Sequence, residues 1–281
     1  MSINKNNEST TQMADKKWFI VMAIVLGCFA FSPSQAGADT WLERQNLLSS
    51  DGAVNDQFGC VSISGDYAIV GAPLDDDKGT DSGSAYIFKW DGTIWVEQQK
   101  LTASDGAAGD RFGWFISISG DYAIVGAFYG DSGKGSAYIF KWDGTIWVEQ
   151  QKLTASDGAA FDQFGCSVSI SGDYAIVGAY YDDDKGTDSG SAYIFKWDGT
   201  SWVRQQKLTA SDGAVNDIFG VSVSISGDYA IVGARLDDDK GDNSGSAYIF
   251  KFCPRADLDD DCKVDFADFA IFADWWLYGT D

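Results

Sequence analysis

Histidine is absent from all 281 residues. That absence removes Ser-His-Asp and Cys-His nucleophile pairs and histidine-ligated zinc, along with the one side chain whose ordinary pKa lies near neutrality. Basic residues are scarce, 20 against 42 acidic ones, which sets the formal net charge at −22. Nucleic acid is therefore excluded as a partner, because that binding is driven by Lys and Arg neutralising phosphates. Only 3 prolines occur, too few for polyproline linkers. Apolar runs stay shorter than the roughly 18 residues that span a bilayer as a helix, so no membrane span is expected. What the chain does have is 32 glycines and 15% aromatic residues. This is far too much apolar material for a disordered acidic tail, and the glycines fit the many tight turns of an all-β chain of short strands.

Residues 1–38 read as an address. Lys16-Lys17 precede an apolar run from Trp18 to Phe31, and Ala36-Gly37-Ala38 supplies a small-x-small cleavage site. These are the three parts of a secretory signal peptide, so the chain is expected to be secreted or at the cell surface. The long polar stretch before Lys16 makes Met13 an alternative start. Val25-Leu26-Gly27-Cys28 also fits a lipoprotein box anchored at Cys28, although the apolar run continues past that cysteine.

Between 41 and 252 one unit is written four times. Gly-Ser-Ala-Tyr-Ile-Phe-Lys recurs with its tyrosine at Tyr86, Tyr138, Tyr193 and Tyr248, spaced 52, 55 and 55 residues apart. Ser-Gly-Asp-Tyr-Ala-Ile-Val-Gly-Ala recurs from Ser64, Ser119, Ser171 and Ser226, and Phe-Gly at Phe58, Phe112, Phe164 and Phe219. In the third copy, turn residues mark strands over 167–171, 174–179, 192–197 and 202–209, with Asp198-Gly199 read as a two-residue hairpin turn. Four strands at a period near 50 residues match a β-propeller blade. A blade that begins after Phe-Gly leaves Trp41 to Leu48 as an orphan fourth strand, while the last copy stops after its third. Pairing the orphan into the last blade closes a four-bladed ring and removes the open edges. A larger ring of two chains is the competing arrangement.

Phe-Gly followed by Gly71-Ala72-Pro73 resembles the FG-GAP repeat of integrin-like propellers, over 41–252. The resemblance implies a rigid disc used for binding or adhesion. Two departures stand out: Pro73 becomes Phe128, Tyr180 and Arg235 in later copies, and the family's Asp-x-Asp-x-Asp-Gly calcium loop is missing from the first hairpin. Calcium there is therefore not expected.

The copies differ mainly after Phe-Gly, after Gly-Ala and before Asp-x-Phe-Gly. In a propeller these loops share one face, so Trp114, Phe115, Phe128, Tyr129, Phe161, Tyr180, Tyr181 and Arg235 are candidates for a ligand surface. Drift at unconstrained loops is the alternative. The triplets Asp75-Asp76-Asp77, Asp182-Asp183-Asp184 and Asp237-Asp238-Asp239 read as solvated loops, with weak calcium binding as the other possibility. Cys60 and Cys166 are read as equivalent positions in the first and third copies, opposite each other across the ring and buried as free thiols.

The tail, 253–281, carries a different pattern. Asp257, Asp259, Asp261, Asp265 and Asp268 occupy positions 1, 3, 5, 9 and 12 of a twelve-residue loop, with Lys263 offering a backbone carbonyl at position 7. That is the EF-hand arrangement of hard oxygens for Ca²⁺. Position 6 is Cys262 where glycine is usual. An amphipathic helix follows, from Asp265 to Trp276. Cys253 and Cys262, nine residues apart in an exported chain, are the candidate disulfide. The segment resembles a single type I dockerin repeat, which implies tethering to a cohesin-like partner, although dockerins carry two such repeats.

The leading expectation is a secreted, non-catalytic binding or adhesion protein that recognises an extracellular protein or polysaccharide, with a calcium-loaded tail for tethering. A carbohydrate-active enzyme of glycoside hydrolase type is the runner-up, but it needs an asymmetric carboxylate pair, and past residue 38 glutamate occurs only at Glu43, Glu97 and Glu149, one equivalent position. A structural spacer in a surface layer is the third reading.

Overall fold

The computed structural model describes residues 40–254 and 262–278. The chain divides at Arg44, and Gln45 onward holds every described strand and helix. The first sheet contains β1 (Cys60–Ser64), β2 (Tyr67–Ala72), β3 (Ser84–Trp90) and β4 (Trp95–Leu101). The second contains β5 (Ile116–Ser119), β6 (Tyr122–Ala127), β7 (Ser136–Trp142) and β8 (Trp147–Leu153), and the third β9 (Ser167–Ser171), β10 (Tyr174–Ala179), β11 (Ser191–Trp197) and β12 (Trp202–Leu208). The fourth has three strands, β13 (Phe219–Ser226), β14 (Tyr229–Ala234) and β15 (Ser246–Lys251). Each sheet is an antiparallel meander in sequence order, as the blades of a β-propeller are. One helix, α1 (Phe266–Tyr278), follows the sheets. No helix among the described residues is long and apolar enough to cross a membrane.

The turn chemistry differs from the sequence reading in one respect. The two-residue hairpin is Gly172-Asp173, where Tyr174 pairs with Ser171 and Gly172 takes φ +56°. The Asp198-Gly199 turn is a four-residue loop, because Trp197 pairs with Trp202. There the Asp198 carboxylate accepts the Thr200 and Ser201 N–H groups at 2.8 Å each, an Asx turn that favours the longer loop.

Three of the four core clusters lie between sheets, and the fourth covers one face of the first sheet. Ile69 and Ile87 of the first sheet pack with Ile118 and Val125 of the second, and Ile124 and Ile139 of the second pack with Val168 and Val177 of the third. Burying each such isoleucine contributes about 1.5–3 kcal/mol, a gain that a solitary repeat cannot make. The Phe-Gly motif is explained by these junctions. Phe112 is buried against Tyr138 and Phe140, with ring centroids 5.6 and 6.0 Å away. The backbone of Gly113 comes so near Gly71 of the previous sheet that a β-carbon at Gly71 would overlap the Gly113 carbonyl.

Closure of the ring by 41–48 is not what the structure contains. That segment forms no strand, and the fourth sheet keeps three strands. Gln45 instead binds the first sheet, donating to the Trp95 carbonyl and accepting from the Trp95 N–H, both at 2.8 Å. Ser50 adds its N–H and hydroxyl to Glu97 at 2.8 and 2.7 Å. The physical reason is that these contacts need no distant partner. They repeat what β4 makes with the second sheet, where Gln99 clamps Trp147 and Ser104 binds Glu149. Gln45 and Ser50 thus make to the first blade the contacts that Gln99 and Ser104 make to the second.

Candidate functional site

The loops on either side of β5 and β6 bring four of the eight candidate ligand-face residues together. Phe128 is the hub, with ring centroids 5.8 Å from Trp114, 5.7 Å from Phe115 and 4.5 Å from Tyr129. It is buried, so it forms the floor of the cluster rather than its surface. Tyr129 and Tyr181 are exposed, and Tyr181 packs on Tyr180 at 4.2 Å. Tyr180 donates its hydroxyl to the Gln163 side chain. Burial, and after it the neighbouring Cys166, Tyr181 and Tyr129, push the Tyr180 phenol well above its ordinary pKa. Phe161 is exposed on the adjoining loop, where its N–H donates to the Gly133 carbonyl at 3.0 Å, and it takes φ +77°. Arg235 lies exposed in the turn after β14 and makes no ring contact with the other candidates among the described residues.

Arg111 belongs to this site and was missed by the sequence reading. Its guanidinium sits 5.5 Å from the Trp114 ring centroid and 5.0 Å from that of Tyr129, a double cation–π contact. Arg111 is the x of Asp-x-Phe-Gly, where the copies read Gln57, Arg111, Gln163 and Ile218 between constant neighbours. All four take a positive φ of 51–56°. Variation at a position flanked by invariant residues was the available signal.

The aspartate triplets are not simply solvated. The first member of each, Asp75, Asp182 and Asp237, is buried. Asp75 accepts from Ser84 at 2.9 Å and Tyr86 at 3.1 Å, and Lys100 bridges it to Asp51 and Asp77 at 2.7–2.9 Å. Lys207 repeats this with Asp157, Asp182 and Asp184, and Lys152 with Asp105 and Asp131. Asp51, Asp75 and Asp77 are placed as metal ligands would be, but the Lys100 ammonium occupies their midst. Burial alone would raise Asp75, yet Lys100, the Asp77 N–H and Ser84 outweigh it and hold the carboxyl below its ordinary range. In the fourth blade the equivalent acids, Asp212 and Asp237, share the Tyr248 hydroxyl at 2.8 and 2.7 Å.

The cysteines are not all where the repeat alignment put them. Cys60 pairs with Gly71 as Ser167 pairs with Gly178, so Cys166 lies one residue earlier in its copy than Cys60 does in the first. Cys166 is buried, and burial pushes its thiol up to about 12.

In the tail, Asp257, Asp259 and Asp261 lie outside the described residues. Cys253 and Cys262 are joined by a disulfide with a Cα–Cα distance of 4.3 Å. Cys262 takes φ +63°, the left-handed conformation that this loop position normally reserves for glycine. Asp265 and Asp268 form a reciprocal cap on α1: Asp265 accepts the Ala267 N–H at 2.8 Å, and the Asp268 carboxylate accepts the Asp265 N–H at 2.7 Å. Lys263 is exposed just before them.

No curated protein matches the chain. Residues 41–88, 95–140, 147–195 and 202–250 each match the FG-GAP repeat, leaving 253–281 outside the matched spans. The four matches cover more than half of the sequence and coincide with the repeated sheets and their Phe-Gly junctions, so the chain belongs to the FG-GAP repeat family.

Proposed function

We propose that this is a secreted, non-catalytic binding protein whose ligand surface is the aromatic cluster around Trp114, Tyr129, Tyr180 and Tyr181, with Arg111 at its edge. The observation that carries the reading is the concentration of large, partly exposed aromatic side chains and a stacked guanidinium on loops, where otherwise near-identical blades diverge. Aromatic and Arg anchors are the residues that supply most binding energy at recognition surfaces, and loops on a rigid sheet scaffold hold them in place. An extracellular protein or polysaccharide suits such a surface, because flat rings stack on sugar faces and on apolar side chains alike.

The tail is proposed to bind Ca²⁺ through Asp257, Asp259, Asp261, the Lys263 carbonyl, Asp265 and Asp268, and to tether the propeller to a cohesin-like partner. Carboxylates at ligand spacing support the calcium reading, together with the positive φ at Cys262 and the helix that starts within the loop pattern. When bound, the ion would draw the loop's carboxylates together ahead of α1.

A glycan array and a hydrolysis assay on the same preparation test the proposal. Binding without turnover is expected, and Trp114→Ala, Tyr129→Ala and Tyr181→Ala should each weaken it at least tenfold with an unchanged circular dichroism spectrum. Turnover, or affinity that survives all three substitutions, would overturn the reading. Calcium titration calorimetry on the whole chain, with Asp259→Asn as control, tests the tail: heat of binding is expected from the wild type alone.

A further inference from the structure

At the end of the repeat array, beside β15, lies a cavity of about 430 Å³ whose walls include Tyr174, Gln206, Phe250 and Phe252. Its position identifies what is missing from it. At the junction of the first two blades, Trp147 of β8 packs edge-on against Tyr67 at 5.4 Å, next to Trp142. The Gln99 side chain clamps the Trp147 backbone, donating to its carbonyl and accepting from its N–H at 2.7 Å each. At the next junction Trp202 packs on Tyr122 at 5.5 Å, and Gln151 holds its backbone at 2.9 and 2.7 Å. At the last junction Tyr174 and Phe252 stand where those aromatic partners stand, 5.9 Å apart. Gln206 holds the place of Gln99 and Gln151, but the Trp strand between them is lacking.

The chain carries that strand elsewhere. Trp41-Leu42-Glu43-Arg44-Gln45-Asn46-Leu47 aligns with Trp95-Val96-Glu97-Gln98-Gln99-Lys100-Leu101 of β4. Its Gln45 and Ser50 are already bound to Trp95 and Glu97 of the first blade, and Trp41 is fully exposed. The two ends of the array are also apolar in complementary ways. Ile231 and Ile249 of the last blade are exposed, although their counterparts Ile69 and Ile87 are wholly buried. Val61 and Ile63 of the first blade are exposed, although Ile118, the counterpart of Ile63, is buried against the preceding blade.

We propose that a second copy of this chain docks its first blade onto the last blade of the first copy, adding its 41–48 segment to β15 as the missing fourth strand. Trp41 of the second copy then fills the cavity against Tyr174 and Phe252, with Gln206 clamping its backbone. Glu43 reaches Ser211, as Glu97 reaches Ser50 and Glu149 reaches Ser104. Val61 and Ile63 cover Ile231 and Ile249. Main-chain pairing gives the affinity and the Trp socket sets the register, as in other strand additions. The contact is head-to-tail, so it either closes into a ring or extends as a chain, and both appear as whole multiples of one mass.

Sedimentation equilibrium of the whole protein over a dilution series tests this. Masses of two or more chains are expected, with Trp41→Ala raising the dissociation constant at least tenfold. Because Trp41 is exposed in the single chain, that substitution leaves the fold intact, which circular dichroism checks. By the register that pairs Val96 with Lys89, Leu42 faces Lys251. Leu42→Cys and Lys251→Cys proteins mixed and oxidised should give a cross-linked band of two chains that neither gives alone. A single-chain mass at every concentration would overturn the proposal. So would a cross-link that forms only within one chain carrying both cysteines, since that is closure by the chain's own strand.

Discussion

Lys100→Met tests whether the acid clusters hold the blades together. Methionine keeps most of the aliphatic stem beside Tyr86, where the ammonium lies 5.2 Å from the ring centroid, and removes the charge with its N–H donors. Two of the three carboxylates left behind, Asp51 and Asp77, are 47% exposed, and pairs of that kind contribute about 0–1 kcal/mol each. Asp75 is different at 6% exposed, because stripping the partner from a buried charge costs about 3–5 kcal/mol. Ser84, Tyr86 and the Asp77 N–H still bond it, so the low end, about 3 kcal/mol, is expected. Lys152 is the internal control: its partners Asp105 and Asp131 are 51% and 44% exposed, so Lys152→Met should cost about 1 kcal/mol. With about 1 kcal/mol more for its two exposed pairs, as for Lys152, Lys100→Met should cost about 4 kcal/mol. At about 2–4 °C per kcal/mol for a domain of this size, the melting temperature should fall by about 8–16 °C for Lys100→Met and about 2–4 °C for Lys152→Met. The lysine contacts, led at Asp51 by Lys100 itself and opposed at Asp75 by burial, hold both carboxyls below the 3.8 of the unfolded chain. The stabilisation is therefore present above about pH 4 and is lost as pH falls through their lowered folded values, so Lys100→Met and the wild type should converge as pH falls below about 4. Near-ultraviolet dichroism melts at both pH extremes provide the measurement. Equal losses for Lys100→Met and Lys152→Met at pH 7 would refute the reasoning, because the burial of Asp75 would then have no effect.

Gly126→Ala should destabilise by about 1–3 kcal/mol in urea unfolding, because its β-carbon would overlap the Gly165 carbonyl and push two blades apart. Gly233→Ala, whose β-carbon would overlap only the Ser222 hydroxyl, an atom that rotates away about one bond, should stay within about 0.5 kcal/mol. Phe164→Ala removes a wholly buried ring that packs 5.3 Å from Tyr193 and 6.1 Å from Phe195, and should cost about 3–5 kcal/mol by the same assay. Asp265→Ala deletes the acceptor for the Ala267 N–H at the start of α1, so ellipticity at the helix band should fall while the propeller melt is unchanged, at a local cost of about 1 kcal/mol.

The strands of the repeat were legible because apolar alternation and Gly-Asp turns agree in every copy: the third copy's first two strands fall where the pattern put them, at Ser167–Ser171 and Tyr174–Ala179. What pattern alone missed is the register slip between Ile194 and Phe195 in the β11–β12 pair, because a bulge changes hydrogen bonding without changing residue types. Comparing the copies found the aromatic cluster because the loops beside β5 and β6 end at one side of a single sheet. It placed Phe128 on the surface, since a phenylalanine that replaces a proline looks like a contact residue until its neighbours' rings are seen to cover it. Ring closure was not legible. A segment with fourth-strand sequence satisfies the same side-chain contacts whether or not another blade stands behind it, and Gln45 and Ser50 illustrate this.

The excess of acid takes on a different meaning once each aspartate is followed to its partner. Asp91, Asp143 and Asp198 accept turn N–H groups, Asp56, Asp110, Asp162 and Asp217 each accept the N–H three residues before them, and the buried triplet members bind serine and tyrosine hydroxyls. Carboxylates bound in this way recur with nearly the same partners in most blades, so they distinguish one blade from another poorly. A ligand that bound them would bind most blades alike. The proposed recognition surface lies where the copies part company, and there the chain places rings and a guanidinium rather than charge of its prevailing sign. Screening by salt separates the two roles: it should weaken the exposed acid–lysine bridges, while binding at Trp114 and Tyr129, made through ring contact, should hardly change.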